Sequence, residues 1–119
     1  MAFISQSSPT SSVSADTETE VYDGTTNNSG SGAPTAGAVV VGLAAANIGT
    51  VSAYVDIYKR SYLNTAGTGE SYIIKGVLVP PGSTLDALPG KVVLNSGDII
   101  YMKTSVADSI QVTASLLEN

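Results

Sequence analysis

Val51-Ser52-Ala53-Tyr54-Val55-Asp56-Ile57-Tyr58 places apolar side chains at the odd positions and polar or amphipathic ones at the even positions. Successive side chains of an extended chain point to opposite faces, so this period of two predicts a half-buried strand over Val51–Ile57. Val51, Ala53, Val55 and Ile57 then face a core. Ile110, Val112, Ala114 and Leu116 repeat the pattern against Gln111, Thr113 and Ser115, which predicts a second strand at the C-terminal end. Between these two runs lie Ser71–Val79, Lys91–Leu94 and Asp98–Thr104, each rich in the β-branched and aromatic residues that suit a pleated sheet.

Working outward, Ala38–Ala46 is ambiguous: Val39, Val41 and Leu43 alternate as in a strand, whereas Ala44-Ala45-Ala46 suits a helix. Gly42 in its middle and the neighbouring strands favour β. Glu20–Asp23 reads as a short first strand. Turn formers separate these runs: Asn47-Ile48-Gly49, Asn64–Gly69, Pro80-Pro81-Gly82, and Asn95-Ser96-Gly97-Asp98, the last read as a tight hairpin. Short strands at this spacing, with no helical segment and no internal repeat, predict an all-β chain: a single antiparallel β-sandwich, jelly-roll-like, over residues 20–119. Residues 1–19 are dominated by Ser and Thr from Ser5 onward, so they are expected to form a flexible N-terminal arm or to order only on a partner. Gly24–Gly37 consists of loop formers and is expected to be a mobile surface loop.

The 119 residues form one domain, because two cores would each fall below the size that folds alone. Charged residues are only 13% of the chain, so Ser, Thr, Asn and Gly must build much of its surface. Ten acidic and five basic residues give a net charge of -5, the wrong sign for neutralising phosphates, and nucleic acid is not an expected partner. There is no Cys, His or Trp. That removes ordinary zinc sites, Cys-His and Ser-His-Asp triads and thiol redox chemistry, and it fits assembly in a reducing cytoplasm. Met1–Gln6 carries no secretion signal, and Ala33–Ile48 is too short and too rich in Gly and Ala to span a bilayer. Neither export by that route nor a membrane partner is expected.

Candidate chemistry fails on spacing. Asp23, Thr25, Asn27 and Ser29 alternate like calcium ligands, but Asn28 and Pro34 stand where an EF-hand needs Gly and Glu. Gly30-Ser31-Gly32 has Thr35 in place of the third Gly of a dinucleotide fingerprint, and Gly90-Lys91 is preceded by Leu85 and followed by Val92 where a P-loop needs Gly and Ser or Thr. Asn27-Asn28-Ser29 is formally a glycosylation acceptor, which has little weight without a secretion signal. Asp56, Glu70, Asp86, Asp98 and Asp108 are not paired by spacing and read as solvated or turn acids. No catalytic residue, metal ligand or cofactor is expected.

One surface feature stands out. Tyr54, Asp56, Tyr58, Arg60 and Tyr62 share a side of the strand if it continues unbroken, facing away from the core. Tyr and Arg bury apolar area while keeping hydrogen-bonding groups, as interface anchors do. The stripe reads either as a partner-binding surface, a sugar-stacking platform being the lesser form of it, or as a face covered by a loop of its own domain.

Ser71-Tyr72-Ile73-Ile74-Lys75, Val79-Pro80-Pro81-Gly82-Ser83-Thr84-Leu85, Lys91-Val92-Val93-Leu94, Gly97-Asp98-Ile99-Ile100 and Ser109–Glu118 together resemble small β-sandwich virion proteins of tailed bacteriophages. The resemblance covers roughly residues 38–118. It implies a non-enzymatic structural protein of the virion, assembled in the host cytoplasm. The leading expectation is a capsid decoration or cement protein that binds the major capsid protein or another virion protein as a homo-oligomer, a trimer being favoured. A neck, tail or fibre component and a carbohydrate- or receptor-binding module are the alternatives.

Overall fold

Alternating runs need a partner on their hydrogen-bonding edges and a second layer over their apolar face, and here they find both. The computed structural model describes residues 2–8, 13–25, 37–64, 67–88 and 90–118. These residues form nine strands: β1 (Ala2–Ser7), β2 (Thr19–Asp23), β3 (Ala38–Asn47), β4 (Ala53–Ser61), β5 (Ser71–Val79), β6 (Thr84–Asp86), β7 (Val92–Leu94), β8 (Asp98–Thr104) and β9 (Ile110–Glu118). One sheet runs β1-β9-β3, with β6 and β7 sharing the far edge of β3; the other runs β2-β8-β4-β5, and all pairings are antiparallel. If β6 and β7 are counted as one interrupted strand, this is a sandwich of two four-stranded sheets in jelly-roll order. Val40, Leu43, Val55, Ile57, Ile100, Met102, Val112 and Leu116 meet between the sheets, each 3% exposed or less.

Strands β5 and β8 have the predicted bounds; β4 starts two residues later, at Ala53, and leaves Val51 about half exposed. Three expectations need correction. First, Val39, Val41 and Leu43 do not share a face. Val40 pairs with Leu116 and Gly42 with Ser115, so Val41 is the extra residue of a β-bulge and the alternation slips by one. Val40, Leu43 and Ala45 point inward, and Val41 is left 46% exposed. Second, Asn95–Asp98 is a turn but not a hairpin. Asp98 N donates to Asn95 O at 3.1 Å and Gly97 has φ +80°, as a type II turn demands, yet β7 and β8 belong to different sheets.

Third, the N-terminal segment is not simply a flexible arm. Ala2–Ser7 pairs with Thr113–Glu118 of β9, Ile4 packs against the core, and Ser8 exchanges bonds with Val112. Val13 is buried too, at 2%. The Ser/Thr-rich composition hid this because an edge strand needs only one inward apolar residue when its neighbour supplies the ladder. Residues 1 and 9–12 of the expected arm, and 26–36 with the glycine-rich and glycosylation patterns and the Asn27 and Ser29 half of the calcium-like one, lie outside the described residues, while Asp23 accepts from Thr25 N and Oγ1. Deleting residues 1–8 therefore removes Ile4 burial and the buried Ser8 pair, and is expected to cost about 2–3 kcal/mol, read as a lower urea midpoint. A midpoint equal to that of the full chain would show that β1 contributes nothing.

Candidate functional site

The outer face of the β2-β8-β4-β5 sheet gathers most of the Tyr stripe. Tyr101, Tyr58 and Tyr72 are register neighbours across β8, β4 and β5, so their rings form one row. Tyr58 lies 5.1 Å from Tyr72 and 5.6 Å from Tyr101, centroid to centroid. Two positions further along β4, Arg60 lays its guanidinium 4.4 Å over the Tyr101 ring, a cation–π contact.

A strap formed by residues 13–18 runs from Val13, buried in the core, out to Glu18 on this face. Its anchors are reciprocal: Val13 N donates to Asp108 Oδ1 at 2.7 Å, Asp108 N to Val13 O at 3.0 Å, and Asp16 N to Thr104 O at 2.8 Å. At its end, Glu18 accepts two bonds from Arg60, at 2.5 and 3.1 Å, and one from the Tyr58 hydroxyl at 2.6 Å. Glu70, on the β4–β5 connection, accepts from Arg60 Nη1 at 2.9 Å and from Gly67 N at 2.7 Å. The result is a guanidinium held between two carboxylates, with only its Nε unpaired.

The electrostatics follow. Hydrogen bonding to Arg60 holds the Glu18 carboxyl below its ordinary value of 4.5, against the opposing effect of burial. The same bond, with Gly67 N, lowers Glu70. Burial, and then the bond to Glu18, pushes the Tyr58 hydroxyl up, and Glu18 likewise keeps Arg60 protonated. Both carboxylates are thus ionised and committed to a cation, which is unsuited to general acid catalysis.

The expected contact stripe is accordingly split. Tyr58 and Arg60 are 1% and 6% exposed, covered by the domain's own strap, so they are not open to a partner. Asp56 is spent on Gly76 N at 2.6 Å. Tyr62 remains half exposed and its ring lies over Gly97, where an added Cβ would collide with it. Tyr54 alone is both exposed, at 54%, and set in a larger apolar surface. The acids read as solvated are also structural: Asp98 is buried and accepts from Asn95 N, and Asp108 anchors the strap.

The surface around Tyr54 includes Leu78, its register partner on β5, with Ile48 and Val51 on the β3–β4 connection at the same end of the sandwich. All four are about half exposed. Sequence reasoning missed this group because Val51 looked like core and Ile48 like part of a turn. The corner is held by Asn47, 2% exposed. Its side-chain amide donates to Val51 O and Val79 O, each at 2.8 Å, and its Oδ1 accepts from Gly49 N at 2.9 Å. Gly82 N adds a bond to Asn47 O at 3.0 Å, tying in the Pro80–Ser83 turn. The Asn47 side chain thus pins the β3–β4 connection to the end of β5, and its backbone ties in the following turn, so the apolar residues are presented in a fixed arrangement.

A separate hollow of about 380 Å³ lies beside the ion cluster, lined by Asp16, Glu18, Tyr58, Glu70, Tyr72 and Lys103 among others. Among the described residues no group of three or more acids is placed to hold a metal ion. Comparison with models of protein families, with curated proteins and with solved structures finds no match.

Proposed function

We propose that this protein is a non-catalytic structural component of a tailed-phage virion, a decoration protein that docks on the major capsid protein and reinforces the shell. The observation that carries the docking surface is the Asn47 corner, which holds Ile48, Val51, Tyr54 and Leu78 about half exposed on a rigid frame. Pre-arranged apolar side chains lose little entropy on binding, and an aromatic anchor among aliphatic neighbours is the usual centre of a contact. The resemblance of residues 38–118 to small virion sandwiches supports the choice of partner.

Expanded shells lacking the protein provide the test. Wild-type protein is expected to co-sediment with them and raise their melting temperature, while Tyr54→Asp with Leu78→Asp loses binding at unchanged fold stability. Shells that ignore the wild-type protein sink the proposal. Copies spread over the whole shell distinguish decoration from the neck or tail alternative, where a single ring is expected.

The hollow beside Tyr72 favours one second reading, a carbohydrate-binding module, since an aromatic ring flanked by fixed carboxylates and Lys103 can stack on and hydrogen-bond a sugar. Glycan-array binding that vanishes in Tyr72→Ala is its signature.

A further inference from the structure

The outer face of the β1-β9-β3-β7 sheet is as different from its opposite number as the fold allows. Phe3 pairs with Leu117, Leu117 with Val39, and Val39 with Val93, so one apolar row crosses all four strands. Its end members are the most open: Phe3 is 83% and Val93 62% exposed. The bulge adds Val41 beside the row. Beyond it, Ser5, Ser7, Thr113, Ser115 and Ala44 continue the face with small uncharged side chains. Strands β1, β3, β7 and β9 contain a single charged residue, Glu118, and it is 3% exposed and accepts from the Tyr22 hydroxyl at 2.6 Å.

From this face we infer that the protein pairs with a second copy of itself, sheet against sheet, about a two-fold axis parallel to the strands. Charge argues for this occupant. The molecule carries -5, yet the row itself is uncharged, and Asp86 of β6, which pairs with Ala44 at the far corner of this face, is set by the axis toward Ser7 of the other copy and not toward its Asp86, so two copies meet here without bringing like charges together. Shape agrees: such an axis reverses the row, setting the large Phe3 of each copy on the smaller Val93 of the other, an isologous contact. Area fits a weak, reversible pairing: strands of six, nine, ten and three residues, at about 3.4 Å per residue and about 4.8 Å spacing, present roughly 450 Å² per copy, or about 900 Å² in all, in the range of transient contacts. Lys59 Nζ, 3.4 Å from Val93 O, places a charge at the β7 edge, which disfavours edge-to-edge pairing and leaves the face.

The pairing does not depend on shell binding, and the row lies at the opposite end of β3 from the Asn47 corner, so the two readings fail separately. Light scattering on the purified full chain across micromolar to hundred-micromolar concentrations is expected to show a reversible dimer. Val93→Lys and Phe3→Glu each leave a monomer of unchanged urea midpoint, since both side chains face outward. The double variant Phe3→Glu/Val93→Lys restores the dimer in low salt, because the two-fold axis sets each new carboxylate against the other copy's new ammonium. Within one copy the two positions stand about 14 Å apart across three strand spacings, too far to satisfy each other. A wild-type monomer at every concentration, an oligomer indifferent to Val93→Lys, or a double variant that stays monomeric overturns the proposal.

Discussion

Arg60→Ala is expected to cost about 3 kcal/mol in urea unfolding, one of the two largest effects of a polar substitution in this domain. Arg60 is 6% exposed, makes three bonds to Glu18 and Glu70, and lies on the Tyr101 ring. Removing the cation leaves two ionised groups facing an apolar row of tyrosines. Breaking a buried pair typically costs about 3–5 kcal/mol, and the lower end applies here because the Glu18 and Glu70 side chains, 24% and 13% exposed, regain some hydration. The penalty comes from the uncompensated carboxylates. Arg60→Met is therefore expected to be nearly as damaging, while the triple variant Glu18→Leu/Arg60→Met/Glu70→Leu recovers much of the loss. A triple variant as unstable as Arg60→Met would place the stabilisation in the ion cluster itself.

The same cluster sets an acid limit. Glu18 and Glu70 are held below 4.5 in the folded chain, so their contribution is fully present above that value and is lost as pH falls through the lowered values. Glu20 runs the other way. Burial raises its carboxyl, so its contribution is present at low pH and fades as pH rises through the raised value, which blunts the gain from the other two. Stability measured from pH 3 to 7 should rise and flatten, and the rise should shrink in Arg60→Ala. An unchanged acid slope in that variant would count against the cluster as its source.

Asn47→Ala is the second large effect. It leaves Val51 O and Val79 O without their donor, the latter in a buried setting, and Gly49 N without its acceptor. At about 1 kcal/mol or more for each unsatisfied group, a loss of about 3 kcal/mol is expected in urea. The functional consequence differs from that of Arg60→Ala. Releasing the corner frees Ile48 and Val51, so shell binding should weaken more than the lost stability explains, whereas Arg60→Ala should weaken binding only as far as it unfolds the protein. Equal binding per folded molecule in the two variants would mean that the corner's rigidity is irrelevant to docking.

Wherever one short run carried its own alternation, the chain could be read directly. Ser71–Val79 and Asp98–Thr104 have the bounds their composition predicts, and Pro80-Pro81-Gly82 makes the type II turn its residues demand, with Ser83 N on Pro80 O at 3.1 Å and Gly82 at φ +76°. β1 was hidden because Ile4 is the one large aliphatic side chain of Ala2–Ser7 that packs on the core, and its ladder comes from β9, more than a hundred residues away in sequence. For a similar reason the sequence leaves open which part of the Tyr stripe the domain itself covers. That Tyr58 and Arg60 face away from the core was legible, but not that a remote Glu18 closes over them.

The sequence by itself determined an all-β chain, the turns and a charge-poor surface, because side-chain alternation, φ preferences and composition act within a few residues. Only the tertiary structure decided which strands share a sheet, where the bulge at Val41 turns valines outward, and which of the tyrosines stay open. Those depend on pairing between distant segments: the ladder that inserts Val41 opposite Ser115–Leu116, and the strap that brings a carboxylate to Arg60 across 42 positions. No local pattern records such a pairing, since the free energy that selects it comes from burying one segment against another.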